Sequence, residues 1–311
     1  CVLKVKDFYM SYEQNMNMKA FAKINQSLDI IGVRDTGYHE LRMLMQSVSL
    51  HDDVELIIND KGSVELTVVD ERGVAAGEIP ADSSNLMCRA AELMRDRFGI
   101  KQGVGMKLYK RIPSEAGLAG GSADAAAVLK GMNELFELGL GTKQLMELGV
   151  KLGADIPYCI MGGTALAEGI GDVLTPIDNK CRLHALLVKP KEDMSTPKVY
   201  SAYDRLIAEG AKVVHPDTNG LIEALESGDC TLVYESVANV LELPVREEIN
   251  IIDRIKKDLI IFGAGASVMT GSGSVVYGLF ADREKMHEAK LKIEKTDYSH
   301  KLFNVLETDF I

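Results

Sequence analysis

The segment from Pro113 to Ala127 carries the clearest chemistry in the sequence, because its glycines lead directly into an alanine-rich run. Glycine lets backbone N–H groups approach a ligand without an intervening Cβ. The first turn of a helix adds unpaired N–H donors and roughly half a positive charge. The segment therefore predicts a cradle for an anion such as a polyphosphate. A tight connection between a strand and a helix, with no ligand, would have the same local pattern.

Two other segments carry side chains that could act on a bound phosphate. Lys23 lies in the short run Lys19–Ile30, which predicts a partly buried strand, so it is a candidate inward-facing cation. Asp155 lies between small residues and Pro157, just beyond a helix predicted near residues 142–152. Taken singly, Lys23 could be an exposed lysine and Asp155 an aspartate in a loop, each with only a structural role.

Taken together, these segments resemble the GHMP superfamily of sugar and alcohol kinases over about residues 18–280. The resemblance narrows to members that phosphorylate the 2-hydroxyl of a cytidine diphosphate derivative of methylerythritol. Homoserine and mevalonate kinases share the glycine loop but, as a rule, lack these forms of Gly37–Leu41 and Leu152–Pro157. The matching segments, in order, are Ala22–Asn25, Gly37–Leu41, Lys110–Pro113, the glycine loop, Leu152–Pro157, Ala167–Asp172 and Met269–Gly273.

The resemblance implies an α+β fold of two domains. The N-terminal half is expected to resemble ribosomal protein S5, with a left-handed crossover, and the C-terminal half to be ferredoxin-like. The expected domains are residues 18–176 and 177–311, with residues 1–17 as an extension outside the fold. From the residues alone, only a mixture of helices and strands follows.

The resemblance also implies ATP as the phosphoryl donor and Mg²⁺ held mainly through the ATP phosphates. Ser122 or Asp124 could add a metal ligand, but none is assigned, because Ala123 stands where relatives often have a second hydroxyl residue. Asn85 and Lys110 match positions near the nucleotide, although a helix cap and a surface lysine are the alternatives. The expected nucleotide-binding residues are Asn85, Lys110, Pro113, Ser114, Glu115, Ala116, Gly117, Leu118, Ala119, Gly120, Gly121, Ser122 and Ala123.

Catalysis and acceptor binding are assigned to further residues. Asp155 is the candidate general base, and the resemblance places Lys23 beside it, where a cation keeps the carboxylate ionised. A simple ion pair between the two is the alternative. Tyr38 and Tyr200 are expected to flank the cytosine, with His39 at its hydrogen-bonding edge, although Tyr200 could instead be a core residue on a helix. The other expected acceptor residues are Asn25, Thr196, Gly271, Ser272 and Gly273.

Composition limits the other classes of function. The chain has 311 residues and a net charge of −11, which argues against nucleic acid or an anionic membrane as the main partner. It has no apolar run of about 18 residues, and residues 1–18 lack the apolar core of a signal peptide. Five separated cysteines and six scattered histidines indicate reduced thiols and no zinc site. We therefore expect a cytoplasmic enzyme, monomeric or homodimeric, with a small-molecule substrate.

Other nucleotide-binding motifs are missing from the sequence. There is no Walker-type phosphate loop, no complete dinucleotide fingerprint and no protein-kinase signature. The remaining alternatives are another small-alcohol GHMP kinase, such as a homoserine or mevalonate kinase, and a catalytically silent nucleotide sensor. Retention of both Lys23 and Asp155 argues against the sensor, and Gly37–His39 argues against the other kinases.

The elements that must position these residues can be predicted in part. Runs at 54–58 and 64–69 around Asn59–Gly62 predict a hairpin. Asn85 and Gly99 bound a predicted helix, residues 106–109 predict a strand, and apolar residues recur at helical spacing from Ala125 to Phe136. The second half predicts a strand at 185–188 and then mostly helix over 196–257, broken at Gly210, Gly228 and Pro244. Glycines and β-branched residues at 263–280, a helix near 282–296 and a strand at 301–306 follow.

Overall fold

The computed structural model describes residues 15–35, 37–73 and 77–311. The fold has an N-terminal half and a C-terminal half, each built on its own sheet. The first half contains β1 (Asn15–Val33), β2 (His39–Asn59), β3 (Val64–Asp70), α1 (Leu86–Phe98), β4 (Gly103–Lys110), α2 (Gly120–Leu135), α3 (Thr142–Gly149), α4 (Ile156–Met161), β5 (Thr164–Gly169) and β6 (Val173–Pro176). The second half contains β7 (His184–Pro190), α5 (Thr196–Ala208), α6 (Thr218–Ser227), α7 (Cys230–Ser236), β8 (Ala238–Asn239), α8 (Glu242–Glu248), α9 (Ile251–Ile261), β9 (Ala266–Met269), β10 (Val276–Phe280), α10 (Arg283–Ile293) and β11 (Leu302–Asp309). The expected α+β fold is confirmed.

The long antiparallel pair β1 and β2 forms the centre of the first sheet, whose main order is β3-β4-β2-β1-β8. Along β1, Ala22 and Ile24 are fully buried in one apolar cluster. Lys23 and Asn25 alternate with them and therefore point to the opposite face, where both are also buried. The strand period thus places a lysine and an asparagine side by side inside the molecule.

The hairpin expected from residues 54–69 is wrong. β4 lies between β2 and β3, antiparallel to β2 and parallel to β3. Val104, Met106 and Leu108 of β4 are buried, whereas β3 is partly exposed along its length at the edge of the sheet. The turn after Asn59 correctly marked a change of direction, but β4, which is more buried than β3, occupies the place beside β2.

The helices that border the glycine loop, residues 113–119, begin and end close to where local signals predict. The Asn85 side chain accepts a hydrogen bond from the Met87 N–H and caps α1, and Gly99 ends it in the left-handed conformation. α2 begins at Gly120, and most of its residues are buried, including Ala125, Leu129 and Met132 of the predicted apolar face. It packs against α1 and β1 and so fixes the loop that precedes it.

The second half is built on an antiparallel sheet of order β11-β7-β10-β9. Helices α9 and α10 pack against this sheet. The helices predicted over 196–257 end near Gly210 and Gly228 as expected. Pro244 does not break a helix, because it lies in the first turn of α8, where no helical hydrogen bond requires its missing N–H.

Contacts between the halves close the fold. β8 pairs in parallel with β1 at Ser27 and Leu28, and Phe310 bridges to Val48 of β2. β1 begins at Asn15 and pairs with β2 from that residue, so residues 15–17 belong to the sheet and not to the expected extension. The rest of that extension, residues 1–14, lies outside the described residues. In the part of the chain that the structure describes, no helix is both long and apolar enough to cross a membrane.

Candidate active site

A cavity of about 870 Å³ lies between the two halves and is lined by residues from both. Of the residues that sequence analysis expected in the site, all but Asn85 and Ala123 line this cavity. The Asn85 side chain accepts from the Met87 N–H at the start of α1 and donates to the Pro80 carbonyl at 2.7 Å. These described contacts are those of a helix cap. Ala123 is buried one turn into α2. The neighbour Leu86, which sequence analysis did not select, lines the cavity instead.

The loop at residues 113–119 has a backbone suited to binding an anion. Glu115, Gly117 and Ala119 have φ values of 48°, 72° and 56°. Turns that contain left-handed residues can direct neighbouring N–H groups toward one concavity, where an anion binds. Two of the three are not glycine, and such backbone outliers cluster at functional sites. The loop leads directly into the N-terminus of α2, so its donors and the helix dipole act on the same space.

The loop is held in place from the C-terminal half. A Cβ built on Gly117 would lie 2.1 Å from the Thr270 carbonyl oxygen, and one on Gly271 would lie 3.0 Å from the Gly117 Cα. The Thr270 hydroxyl donates to the Gly117 carbonyl at 3.3 Å, and the Lys23 N–H donates to the Leu118 carbonyl at 3.1 Å. The predicted wall at 271–273 therefore packs backbone to backbone against the loop, and only glycine fits at both contact points.

A buried group of three ionisable side chains fixes the strand that enters the loop. The Lys110 ammonium lies 2.5 Å from Asp52 and 2.7 Å from Asp124, and all three side chains are buried. The second oxygen of Asp52 accepts from the Ile112 N–H at 2.8 Å. The alternative of a surface lysine at Lys110 is therefore wrong. Sequence analysis missed Asp52, which is 58 residues from Lys110 and has no local motif.

The protonation of this buried group follows from its burial. Burial raises the pKa of Asp124 to about 8, with the Lys110 charge opposing and the Asp52 charge adding to the rise. Burial lowers the pKa of the Lys110 ammonium, but Asp124 and Asp52 raise it, and the net shift is upward. One positive charge thus faces two acids of which Asp124 retains a proton near neutral pH. The second oxygen of Asp124 has no hydrogen-bond partner among the described residues.

Lys23 and Asp155 face the same cavity without touching each other. The Lys23 ammonium donates to the Asn25 side chain at 2.6 Å. Asp155 directly precedes α4, whose first turn contains Pro157. These two described residues form no ion pair within 4.0 Å, so the simple ion pair considered as the alternative is not what the structure contains. Burial raises the pKa of the nearby Cys159 thiol, and the charge of Asp155 adds to the rise while that of Lys23 opposes it.

The aromatic residues Tyr38, His39 and Tyr200 also line the cavity. Tyr38 is 64% exposed at the rim, and the turn before it contains Gly37 with a φ of 82°. The His39 ring lies against that of Tyr200, with centroids 4.8 Å apart and planes tilted by 38°. The Nε2 of His39 is 2.8 Å from the Asp204 carboxylate, a residue that sequence analysis did not select.

The loop at residues 113–119, the residues Lys23 and Asp155 and an aromatic cluster line one cavity, as expected for a small-molecule kinase of the GHMP class. Residues 85–163 match the family model for the GHMP kinases N terminal domain, and residues 221–299 match that for the GHMP kinases C terminal. The crystal structure of homoserine kinase from Cytophaga hutchinsonii shares the fold with a TM-score of 0.74 at 19% identity, covering 98% of this chain and 97% of that one.

Closer relatives narrow the class. A protein of Acetivibrio thermocellus named 4-diphosphocytidyl-2-C-methyl-D-erythritol kinase is 44% identical over 88% of this chain and 92% of its own length. A crystal structure of 4-(cytidine 5'-diphospho)-2C-methyl-D-erythritol kinase has a TM-score of 0.75 at 28% identity, covering 95% of this chain and 99% of that one. The chain belongs to the 4-diphosphocytidyl-2-C-methyl-D-erythritol kinase family of GHMP kinases.

Proposed function

We propose that this protein transfers the γ-phosphoryl group of ATP to the 2-hydroxyl of 4-diphosphocytidyl-2-C-methyl-D-erythritol, a step of non-mevalonate isoprenoid precursor synthesis. One observation carries the proposal: a single cavity of about 870 Å³ joins the phosphate loop, the Lys23 and Asp155 pair, and the aromatic cluster around His39. A nucleotide donor and a nucleotide-linked acceptor need a site that holds all three groups together. Homoserine and mevalonate would leave the aromatic residues unused.

Asp155 is the proposed general base for the attacking hydroxyl. An alcohol holds its proton too tightly to lose it freely near neutral pH, so a carboxylate within hydrogen-bond reach orients the hydroxyl and accepts the proton late in transfer. Lys23 faces the same space and is held by Asn25 at 2.6 Å, so its charge is fixed in position. A preorganised cation there stabilises the negative charge that develops on the acceptor oxygen.

The loop at residues 113–119 and the N-terminus of α2 are suited to the phosphates of ATP, because the loop contains three left-handed residues, leads directly into a helix start and lines the cavity. Mg²⁺, when bound with the nucleotide, neutralises charge on the β- and γ-phosphates. Among the described residues, no group of three His, Cys, Asp or Glu side chains could hold a metal ion. Ser122 lines the cavity and could add one oxygen ligand, but we propose that Mg²⁺ is held mainly through ATP.

Tyr38, His39 and Tyr200 are the proposed cytosine-binding residues, with Thr196 and Asn25 nearer the diphosphate and the methylerythritol. Flat aromatic faces favour stacking on a base, worth roughly 1–3 kcal/mol per base. The Thr196 hydroxyl lies 2.8 Å from that of Ser272, so the two present a polar edge to the cavity. We further propose that the enzyme works in the cytoplasm as a monomer or homodimer, without a nucleic acid or membrane partner.

The test is an ADP-release assay with the cytidine compound, homoserine and mevalonate as separate acceptors, followed by ³¹P NMR of each product. We expect turnover with the cytidine compound only, and a new phosphate monoester at the 2-position. Turnover with homoserine or mevalonate in preference would identify another GHMP kinase. ATP binding by calorimetry without turnover on any acceptor would identify a nucleotide sensor.

A further inference from the structure

Helix α5 holds the His39 ring from two directions. Tyr200 and Asp204 are four residues apart on α5 and therefore lie on the same face, one turn apart. Tyr200 contacts the ring of His39, and the Asp204 carboxylate lies 2.8 Å from its Nε2. The two contacts fix the plane of the imidazole and the direction of its Nε2 edge.

Asp204 lies outside the substrate cavity. His39 lines both that cavity and a neighbouring groove of about 510 Å³, whereas Asp204 lines only the groove. The side chain of Asp204 is 53% exposed, while that of His39 is only 14% exposed. Asp204 is therefore placed to act on a bound acceptor through His39, without touching it.

We propose that Asp204 is a positioning residue that makes the site prefer cytosine to uracil. An ionised carboxylate only accepts hydrogen bonds, so Nε2 of His39 must be the donor. In the neutral ring this leaves Nδ1 unprotonated, as an acceptor. The 4-amino group of cytosine donates, whereas the 4-oxygen of uracil only accepts. The acceptor at Nδ1 therefore pairs with the amino group of cytosine and faces a lone pair in uracil.

This inference rests on the proposed function, and kinetics on matched acceptors test it. The ratio of kcat/KM for the cytidine compound to that for its uridine counterpart is measured for the unmodified protein, Asp204→Ala and Asp204→Asn. We expect Asp204→Ala to lower the ratio roughly tenfold, mainly through the acceptor KM, with the ATP KM unchanged. Asp204→Asn keeps an accepting oxygen, so it should retain the preference.

A matched control is Arg205→Ala, because Arg205 is exposed on the same helix and pairs only with Glu209 and Glu247 in the described residues. It should leave the ratio unchanged. Imidazole ¹⁵N NMR of the protein without ligands supplies a second readout, since it reports which ring nitrogen of His39 carries the proton. We expect Nε2–H in the unmodified protein and in Asp204→Asn, and a mixture of tautomers in Asp204→Ala.

Two results would overturn the inference: an unchanged base preference in Asp204→Ala, or an Nδ1–H tautomer in the unmodified protein. In the first case, an equal loss of turnover in Asp204→Ala and Asp204→Asn would assign Asp204 a purely structural role. Failure of the unmodified protein to phosphorylate the cytidine compound would instead overturn the proposed function. The NMR result would then still decide whether Asp204 sets the tautomer.

Discussion

The Lys110 ammonium lies directly against Gly120, 2.9 Å from the position that a Cβ on that glycine would occupy. The ammonium cannot move aside freely, because Asp52 and Asp124 hold it from two directions. Ile112 closes the remaining space, with its Cγ2 also 2.9 Å from the same point. Internal packing therefore requires glycine at this position even before a nucleotide binds.

Gly120→Val should lower the free energy of unfolding by roughly 1–3 kcal/mol, because it overpacks the space above Lys110 and Ile112. It should also weaken ATP binding far more than binding of the cytidine compound, since the displaced backbone belongs to the phosphate loop. Denaturant unfolding and calorimetry with each ligand measure the two effects.

The adjacent Gly121→Ala is the control for stability, because its Cβ would meet only Leu86, at 3.8 Å. Alanine also favours the helical conformation over glycine by roughly 1 kcal/mol, so this variant should unfold no more easily than the unmodified protein. Equal losses of affinity for both ligands in Gly120→Val would indicate general misfolding and would contradict a specific phosphate-binding role for the loop.

Asp124→Asn should change how stability depends on pH. The folded-state pKa of Asp124 is about 8, above the ordinary value of 3.8, so the folded protein binds this proton more tightly than the unfolded chain. Between about pH 4 and pH 8 the unfolded chain releases the proton while the folded protein keeps it, so raising the pH favours unfolding. The unmodified protein should therefore lose stability relative to Asp124→Asn as pH rises, by at most about 1.4 kcal/mol per pH unit.

Denaturant unfolding of both proteins at pH 5, 6, 7 and 8 measures this difference, and subtracting the two curves cancels the other titrating groups. A difference that stays constant across the range would mean that Asp124 is ionised in the folded protein throughout, in partnership with Lys110.

Asp155→Asn should lower turnover by roughly 10²-fold or more while ATP affinity stays near normal, because the amide keeps the shape but cannot accept a proton. Single-turnover kinetics and ATP calorimetry test this. Asp178→Asn is the control, since Asp178 is exposed and its nearest cation, Lys180, is 3.9 Å away. Near-normal turnover in Asp155→Asn would remove Asp155 from the chemical step.

Tyr38→Ala should weaken binding of the cytidine compound by roughly 5- to 150-fold, the equivalent of 1–3 kcal/mol for one stacked base. Because Tyr38 is 64% exposed, the melting temperature and ATP affinity should barely change. Val33→Ala is the control, as Val33 is similarly exposed and pairs with His39 across the strands. Unchanged acceptor binding in Tyr38→Ala would place the cytosine elsewhere.

Features that depend on neighbouring residues could be predicted from the sequence. Asn85 and Gly99 cap α1 because both signals act within one turn of the helix. The glycine loop was recognisable for the same reason, since backbone conformation and helix start lie within ten residues. Lys23 was expected to face inward, and the two-residue period of β1 buries it beside Asn25.

Features set by distant contacts could not be predicted. No pattern around residues 54–69 reveals that β4, about 40 residues later, takes the place beside β2. Asp52 and Asp204 each act on a side chain more than 50 residues away, at Lys110 and His39. Single acidic residues are common on strands and helices, so only the folded chain shows which of them have such a partner.

The pairing of β8 with β1 also constrains how the protein is synthesised. The residues of β8 that cover β1 leave the ribosome about 210 residues after Ser27, which at about 5–20 residues per second is roughly 10–40 s later. During that interval the nascent sheet exposes strand groups that would pair with another chain as readily as with their own. The β1 edge at Ser27 and Leu28 therefore lacks its β8 partner until Ala238 and Asn239 have emerged.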